Sequence, residues 1–236
     1  MSETFKGNFT QQEPIPGTAI EAAVAVMRSG RLHRYNTAPG EESQVPLLER
    51  EFADWSGAKY CLAVASGGYA LATALRAVGV KPGDRVLTNA FTLAPVPGAI
   101  ASVGAVPIFV GVTESLVIDL EDLAAKVGQS DVLMLSHMRG HLADMDALMA
   151  LAEAHGLTVI EDCAHTMGAR WNGVLSGRSG HVGCYSTQTY KHMNSGEGGL
   201  LITDDEDIAA RAVMLSGSYM LYGRHLAAPG PEGFER

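Results

Sequence analysis

The sequence predicts an α/β domain with three layers, α/β/α, around a mostly parallel central sheet. Short apolar runs of strand length alternate with amphipathic or alanine-rich segments of helical length along most of the 236 residues. Repeated βα units of this kind cover both faces of a parallel sheet with helices. The hydrophobic content of 47% is sufficient for a sizeable core, and 27 glycines indicate many tight turns. Ligands of such sheets bind beyond the carboxyl ends of the strands.

The helices are predicted from their apolar periodicity and their end signals. Leu48, Phe52 and Trp55 share one face and Gly57 follows them, which favours a helix over Pro46–Trp55. Acidic residues in the first turn of the last helix suit its dipole. In order, the predicted helices are Ala19–Arg28, Pro46–Trp55, Tyr69–Val78, Ala94–Val103, Leu120–Val127, Asp144–His155 and Asp204–Leu215.

The strands are predicted from short apolar runs bounded by turn residues. The run LTVIE, directly after Gly156, is typical of a strand that is buried on both faces. In order, the predicted strands are Tyr60–Ala65, Arg85–Thr88, Val106–Val112, Val132–Ser136, Leu157–Glu161, Val182–Ser186 and Gly199–Thr203. Loops that follow these strands are therefore where functional side chains are expected.

Charge and cysteine content exclude several classes of protein. A net charge of −9 argues against nucleic acid or an anionic membrane surface as the main partner. No apolar run approaches the ~18 residues of a membrane span, and the N-terminus lacks an apolar signal core. Cys61, Cys163 and Cys184 are odd in number and lack C-x-x-C spacing, so neither a disulfide framework nor a metal site is predicted. We expect a cytoplasmic protein.

The segment Ser66-Gly67-Gly68 lies between a predicted strand and a predicted helix. Small residues at this position let backbone N–H groups approach a phosphate at the helix N-terminus. The segment matches neither G-x-G-x-x-G nor the P-loop pattern. An ordinary tight βα turn is the alternative interpretation.

Asp162 follows a predicted buried strand, and His165 comes three residues later. A carboxylate at this position is either a helix N-cap or a buried charge that needs a cationic partner. His165 could donate a hydrogen bond to the same ligand, or it could be a structural histidine.

Lys191 is the most informative of the five lysines. The other four lie at the N-terminus, before a strand, in a turn or on a helix face, where solvent exposure explains them. Lys191 follows the strand Val182–Ser186 and precedes the glycine-rich segment Asn194–Gly199. Partial burial at the functional edge of a sheet lowers the pKa of an amine and makes it a candidate for Schiff-base chemistry. The alternative is an ordinary loop lysine.

Together these features match the needs of one cofactor, pyridoxal 5′-phosphate. The Ser66–Gly68 turn and Ser186 would hold its phosphate. Asp162 would keep its pyridine nitrogen protonated, and Lys191 would bond to its aldehyde carbon.

Two segments carry a family resemblance: AHGLTVIEDCAHTMGARWNG at Ala154–Gly173 and YSTQTYKHMNSGEGG at Tyr185–Gly199. With shorter matches such as HMRGHLADMDAL at His137–Leu148, they make the sequence similar to the DegT/DnrJ/EryC1/StrS sugar aminotransferases from about Pro16 to Gly223. This is a branch of the fold-type-I pyridoxal-phosphate enzymes.

The resemblance implies a role for each candidate residue. Lys191 is the lysine that binds the cofactor covalently, and Asp162 is the partner of the pyridine nitrogen. His165 lies near the cofactor ring and its 3-oxygen, while Ser186 and the turn Ser66, Gly67 and Gly68 bind the phosphate.

The sequence departs from the family pattern at several positions. Gly68 stands where the family has threonine, which removes one hydroxyl donor. The family stacks an aromatic side chain on the cofactor ring; here Leu93 aligns with that position and Phe91 lies two residues earlier. Either Phe91 has taken over the stacking or the contact is aliphatic. His181 replaces a usual aspartate and is given no role.

The resemblance also predicts the domain organisation. Residues 1–236 are expected to form the cofactor-binding large domain, with an N-terminal helical segment over about residues 1–57. The small C-terminal domain of the family is expected to be absent from this chain. The expected assembly is a homodimer, with the segment Ser216–His225 and its cluster Tyr219, Met220, Leu221 and Tyr222 contributing to the interface.

The predicted function is transfer of an amino group from glutamate or glutamine to a keto-sugar nucleotide or a ketocyclitol. Two alternatives remain open. One is a dehydratase resembling 3-amino-5-hydroxybenzoic acid synthase, because Lys191 alone does not distinguish the two outcomes. The other is a non-catalytic partner subunit, although an intact Lys191, Asp162 and Ser186 argue against it.

Overall fold

The computed structural model describes residues 6–8, 14–34, 37–41, 43–219 and 222–229. Its helices are α1 (Gly17–Ser29), α2 (Gln44–Ser56), α3 (Gly67–Ala77), α4 (Pro95–Ser102), α5 (Leu120–Lys126), α6 (Met145–His155) and α7 (Glu206–Leu215). Short 3₁₀ turns occur at Val127–Gln129, Met138–Gly140 and Tyr222–Arg224. Each predicted helix is present, with ends that agree to within two residues.

The strands are β1 (Tyr60–Val64), β2 (Arg85–Asn89), β3 (Val106–Val110), β4 (Val132–Ser136), β5 (Thr158–Asp162), β6 (Arg170–Trp171), β7 (Val174–Leu175), β8 (Val182–Ser186) and β9 (Gly199–Thr203). Seven of them form one sheet in the order β1-β9-β8-β5-β4-β2-β3, and β6 pairs with β7 in a small hairpin that the sequence analysis missed. The pairs among β3, β2, β4, β5 and β8 are parallel. Only β9 runs against its neighbours β1 and β8. The predicted mostly parallel sheet is therefore confirmed.

Hydrophobic side chains fill both faces of the sheet, which gives the predicted three layers. On one face α3, α4 and α7 pack through residues such as Leu75, Ile100 and Val213. On the other face α5 and α6 contribute Leu123 and Leu148. Helix α2 covers the same face at the β1 end of the sheet, where Phe52 and Tyr185 meet edge to face. Burying side chains of this size contributes about 1.5–3 kcal/mol each.

Alternation along each strand sends consecutive side chains to opposite layers. In β5, Ile160 joins the core under α3, whereas Val159 joins the core under α6. Glu161 therefore faces the α6 side of the sheet, and Asp162 faces the α3 side. None of the helices in the described part of the chain is long and apolar enough to cross a membrane.

Candidate active site

The predicted residues converge at one edge of the sheet. β1, β5 and β8 point in the same direction, so the residues that follow or end them lie at a common carboxyl edge. A pocket there is lined by seven of the nine predicted residues: Gly67, Gly68, Leu93, Asp162, His165, Ser186 and Lys191. Leu71, Pro95, Val96, Met138 and Ala164 complete its lining. Ser66 and Phe91, the other two predicted residues, lie outside this lining.

The turn after β1 presents a helix N-terminus to the pocket. Ser66 is the N-cap of α3, and its Oγ accepts a hydrogen bond of 3.1 Å from the backbone N–H of Tyr69. The N–H groups of Gly67 and Gly68 belong to the first helical turn, where no carbonyl of the helix can accept from them. Such a helix start attracts an anion through these donors and through the helix dipole.

Glycine is required at two positions because the backbone of the turn lies directly against β8 and β9. A Cβ atom on Gly67 would lie 2.7 Å from the Cβ of Ser186, at the end of β8. A Cβ atom on Gly199, at the start of β9, would collide with the carbonyl group of Ser66. This close approach places the Ser186 hydroxyl beside the N-terminus of α3, and both can donate to one anion.

Asp162 ends β5 and is held by two hydrogen bonds. Its Oδ2 accepts from the hydroxyl of Ser136 at 3.1 Å, and its Oδ1 accepts from the N–H of Ala164 at 3.2 Å. Ser136 ends the neighbouring strand β4, opposite Asp162. The carboxylate is half-buried and lines the pocket, so it can still pair with a cationic group of a ligand.

Lys191 and His165 meet in the pocket, with 2.9 Å between Lys191 Nζ and His165 Nε2. Burial lowers the pKa of Lys191, although the negative charge of Asp162 partly opposes this change. Burial also lowers the pKa of His165, and the positive charge of Lys191 adds to that effect. Both shifts increase the neutral fraction of each group at a given pH, and a neutral amine is the form that attacks a carbonyl carbon.

The two candidates for the ring contact are placed differently. Leu93 lines the pocket and is 43% exposed. Phe91 lies against His141 instead, with the ring centroids 6.4 Å apart and the planes nearly perpendicular. Of the two alternatives left open by the sequence, the geometry favours an aliphatic contact through Leu93.

A buried polar cluster next to the site was missed by the sequence analysis. The Glu161 carboxylate accepts from His137 Nε2 at 2.9 Å and from the N–H groups of Gly177, Ser179 and Gly180 at 2.9, 3.0 and 2.6 Å. These bonds tie the loop between β7 and β8 to the strand that carries Asp162. The sequence analysis placed Glu161 only at the end of a strand, because its hydrogen-bond partners lie at least 16 residues away in the sequence.

Cys163 lies beside this cluster. Its Sγ is within 4.8 Å of one potential metal-ligand atom of Glu161 and of one of His137. Burial raises the pKa of the Cys163 thiol well above its usual value, so it is not a thiolate. The Glu161 oxygens already accept four hydrogen bonds. The arrangement therefore favours a hydrogen-bonded structural cluster over a metal centre.

Comparison with known proteins gives a family match over most of the chain. Residues 16–223 match the model of a family described as the DegT/DnrJ/EryC1/StrS aminotransferase family. A curated relative from Streptomyces lividus, an L-glutamine:2-deoxy-scyllo-inosose aminotransferase, is 38% identical over 92% of this chain and 51% of its own length. The chain thus spans about half the length of the curated relatives it matches.

Two solved structures share the fold over most of the chain. The aminotransferase from Psychrobacter cryohalolentis is 32% identical, with a TM-score of 0.80 over 87% of this chain and 51% of its own. A 3-amino-5-hydroxybenzoic acid synthase is 33% identical, with a TM-score of 0.79 over 87% of this chain and 54% of its own.

Proposed function

Because the chain belongs to the DegT/DnrJ/EryC1/StrS aminotransferase family, we propose that it forms the cofactor-binding part of a pyridoxal-phosphate-dependent aminotransferase. The observation that carries the proposal is the single pocket that brings together the amine of Lys191, the carboxylate of Asp162 and the N-terminus of α3. An amine, an acid and an anion-binding helix start are the three groups that this cofactor needs from a protein.

The residues of the pocket fit the cofactor part by part. The N–H groups of Gly67 and Gly68 and the Ser66 and Ser186 hydroxyls would hold the phosphate. Asp162, oriented by Ser136, would hold a proton on the pyridine nitrogen. The cofactor supplies an aldehyde carbon for covalent attachment and a protonated ring that stabilises negative charge on the substrate.

Lys191 has two tasks in this proposal. Its amine would hold the cofactor through the aldehyde carbon, and the half-buried position that lowers the pKa of Lys191 increases the share of the neutral, reactive amine. In the reaction the same nitrogen would take a proton from the substrate as general base and return it as general acid. His165 lies 2.9 Å from this nitrogen and would contact the 3-oxygen of the ring.

The proposed reaction moves an amino group from glutamate or glutamine to a ketocyclitol or a keto-sugar nucleotide, in amino-sugar or secondary-metabolite biosynthesis. The names of the relatives make glutamine and a ketocyclitol the first pair to test. A dehydratase or synthase is the second candidate, because a 3-amino-5-hydroxybenzoic acid synthase shares the fold at 33% identity. A panel of keto substrates with glutamine as amino donor distinguishes the two activities by their products. An aminotransferase gives an amine that keeps the other oxygen atoms of the substrate, whereas a dehydratase or synthase gives a product that has lost water.

Covalent labelling tests the cofactor site directly. Borohydride reduction of the chain with pyridoxal phosphate, followed by peptide mapping, should place the pyridoxyl group on Lys191. The Lys191→Arg variant is the matched control and should stay unlabelled. A label on Lys59 or Lys81, or no label with cofactor in excess, would contradict the proposal.

We also propose that the protein assembles as a homodimer. Helix α1 has no buried residue in the described structure, and its Ile20 and Met27 are 51% and 60% exposed. Tyr219, from the predicted interface cluster, is 53% exposed. Met220 and Leu221 lie outside the described residues, as does the side chain of Tyr222. Exposed large apolar side chains on a helix that buries none of its residues are typical of an interface.

Light scattering tests the assembly. The wild-type chain should be a dimer or larger, and a double variant with Ile20→Glu and Met27→Glu should be smaller at the same concentration. Val106→Glu, on the edge strand β3, is a control because Val106 is 49% exposed but lies outside this surface. A wild-type monomer at all concentrations that still binds pyridoxal phosphate tightly would refute the dimer.

The three cysteines Cys61, Cys163 and Cys184 are free and buried. Their placement inside the core is compatible with the reducing cytoplasm that the sequence analysis expects.

A further inference from the structure

Both ring nitrogens of His165 have a polar neighbour, and these contacts restrict the protonation state of Lys191. Its Nδ1 lies 3.1 Å from the backbone N–H of Arg139, and its Nε2 lies 2.9 Å from Lys191 Nζ. A backbone N–H can only donate, so Nδ1 must be the unprotonated nitrogen. A neutral imidazole then carries its proton on Nε2 and donates it toward the lysine.

We propose that the backbone N–H of Arg139 fixes the Nε2–H tautomer of His165, and that His165 in turn holds Lys191 as a neutral amine by donating to its lone pair. An ammonium at Lys191 would place two donors face to face. What this arrangement does in catalysis rests on the proposed function, in which Lys191 must be neutral to bond to an aldehyde carbon.

The backbone around Arg139 is built to present this N–H group. Arg139 has φ 57° and ψ 20°, the left-handed region that residues other than glycine rarely occupy. Gly140 follows with φ 86°, and its N–H bonds to the carbonyl of His137. The N–H of His137 in turn bonds to the carbonyl of Asp162. The turn is thus anchored to β5, three residues before His165.

The charges around His165 are compatible with a neutral ring. Lys191, Arg139 and His192 oppose a positive charge on the imidazole, and Asp162 favours one. Burial is the largest influence and opposes the charge, so the pKa of His165 lies below its ordinary value. Arg139 thus acts as a positioning residue through its backbone N–H, and its guanidinium adds to the charges that oppose a positive imidazole.

NMR on the full chain without added cofactor tests both contacts. A scalar coupling across the hydrogen bond between the Arg139 amide nitrogen and His165 Nδ1 is expected in the wild-type protein. Arg139→Gly keeps the N–H and permits positive φ, so the coupling and the tautomer should persist. A wild-type protein with a proton on Nδ1, or without the coupling, would overturn the proposal.

The pKa of Lys191 gives an independent test. It should shift in opposite directions on loss of His165, depending on whether His165 donates a hydrogen bond to the amine or accepts one from it. The ¹³Cε resonance of Lys191, identified by its loss in Lys191→Arg, reports the protonation of the amine. If His165 donates to the amine, His165→Phe raises the Lys191 pKa, with the acid dissociation constant falling about three- to tenfold, the range for one lost hydrogen bond. A fall in the pKa would mean that His165 accepts, and would refute the proposal. Neither measurement needs pyridoxal phosphate, so failure of the labelling test and failure of this inference are distinguishable.

Discussion

Replacing Glu161 by glutamine should destabilise the domain strongly, although the site residues themselves are unchanged. The Glu161 carboxylate is fully buried and accepts four hydrogen bonds, from His137 and from the N–H groups of Gly177, Ser179 and Gly180. An amide of the same shape keeps one oxygen and turns an NH₂ group toward two of these donors. Two bonds are lost, and two buried donors are left unsatisfied.

The magnitude follows from the number of bonds lost. A hydrogen bond to a charged group contributes about 1.5–3 kcal/mol, so Glu161→Gln should lower the free energy of unfolding by about 3–6 kcal/mol. For a chain of this length 1 kcal/mol corresponds to about 2–4 °C in Tm, so the expected decrease is roughly 6–24 °C.

The effect should depend on pH in a defined direction. Burial alone would raise the pKa of Glu161, but the hydrogen bond and charge of His137 and the N–H groups of Gly180 and Gly177 hold it below the ordinary value of 4.5. A depressed pKa in the folded state means that the unfolded chain binds more protons in acid. The stabilisation is therefore complete above the unfolded pKa and is lost as pH falls through the folded pKa.

Urea denaturation followed by circular dichroism measures both effects. The difference between wild type and Glu161→Gln should be largest near pH 7 and should shrink below pH 4.5, the ordinary glutamate value. Glu153→Gln, at an exposed position of α6, is the control and should lie within about 0.5 kcal/mol of wild type. If Glu161→Gln lies within about 1 kcal/mol of wild type at pH 7, the four-bond cluster does not stabilise the fold.

Three further predictions concern the pocket. Asp162→Asn in a complete, cofactor-loaded protein should retain the cofactor but lose about a hundredfold in turnover, roughly 3 kcal/mol; near wild-type rates would make Asp162 a structural cap only. Gly67→Ala should weaken binding of pyridoxal phosphate, because its Cβ would lie 2.7 Å from Ser186. Gly68→Ala, with its nearest neighbouring atom at 4.0 Å, should bind more tightly than Gly67→Ala, and equal loss in calorimetry would contradict this account. The rate at which free pyridoxal modifies Lys191 should rise with pH through a midpoint below 10.5, since burial lowers the pKa of that amine; a midpoint at or above 10.5 would indicate a solvated lysine.

The fold could be predicted from the sequence because each signal was local. Apolar runs of four to seven residues and helix-length periodic segments specify the layers without any knowledge of contacts. The small hairpin of β6 and β7 was missed because strands of two residues have no period. Helix α3 begins at Gly67 rather than at Tyr69 because Ser66 caps it, a feature that the glycines in the turn concealed.

The positions of the candidate residues at strand ends could be predicted for the same reason, whereas the groups that support them could not. Asp162 and Lys191 stand beside strand ends that can be located in the sequence. Ser136 and His137 reach Asp162 and Glu161 across 24 to 26 residues, through the pairing of β4 with β5. Only the order and register of strands in the folded sheet bring such groups together.

The adjacent acids Glu161 and Asp162 show how strand geometry divides two like residues between different tasks. Because consecutive side chains leave a strand on opposite faces, the two carboxylates cannot act as a pair in one site. Glu161 faces the α6 side, and its carboxylate accepts hydrogen bonds from the loop before β8. Asp162 lines the pocket, where its carboxylate can accept further hydrogen bonds from a ligand. The loop that Glu161 holds leads directly into the strand that ends at Ser186. The same residue therefore anchors both strands whose ends, Asp162 and Ser186, line the pocket.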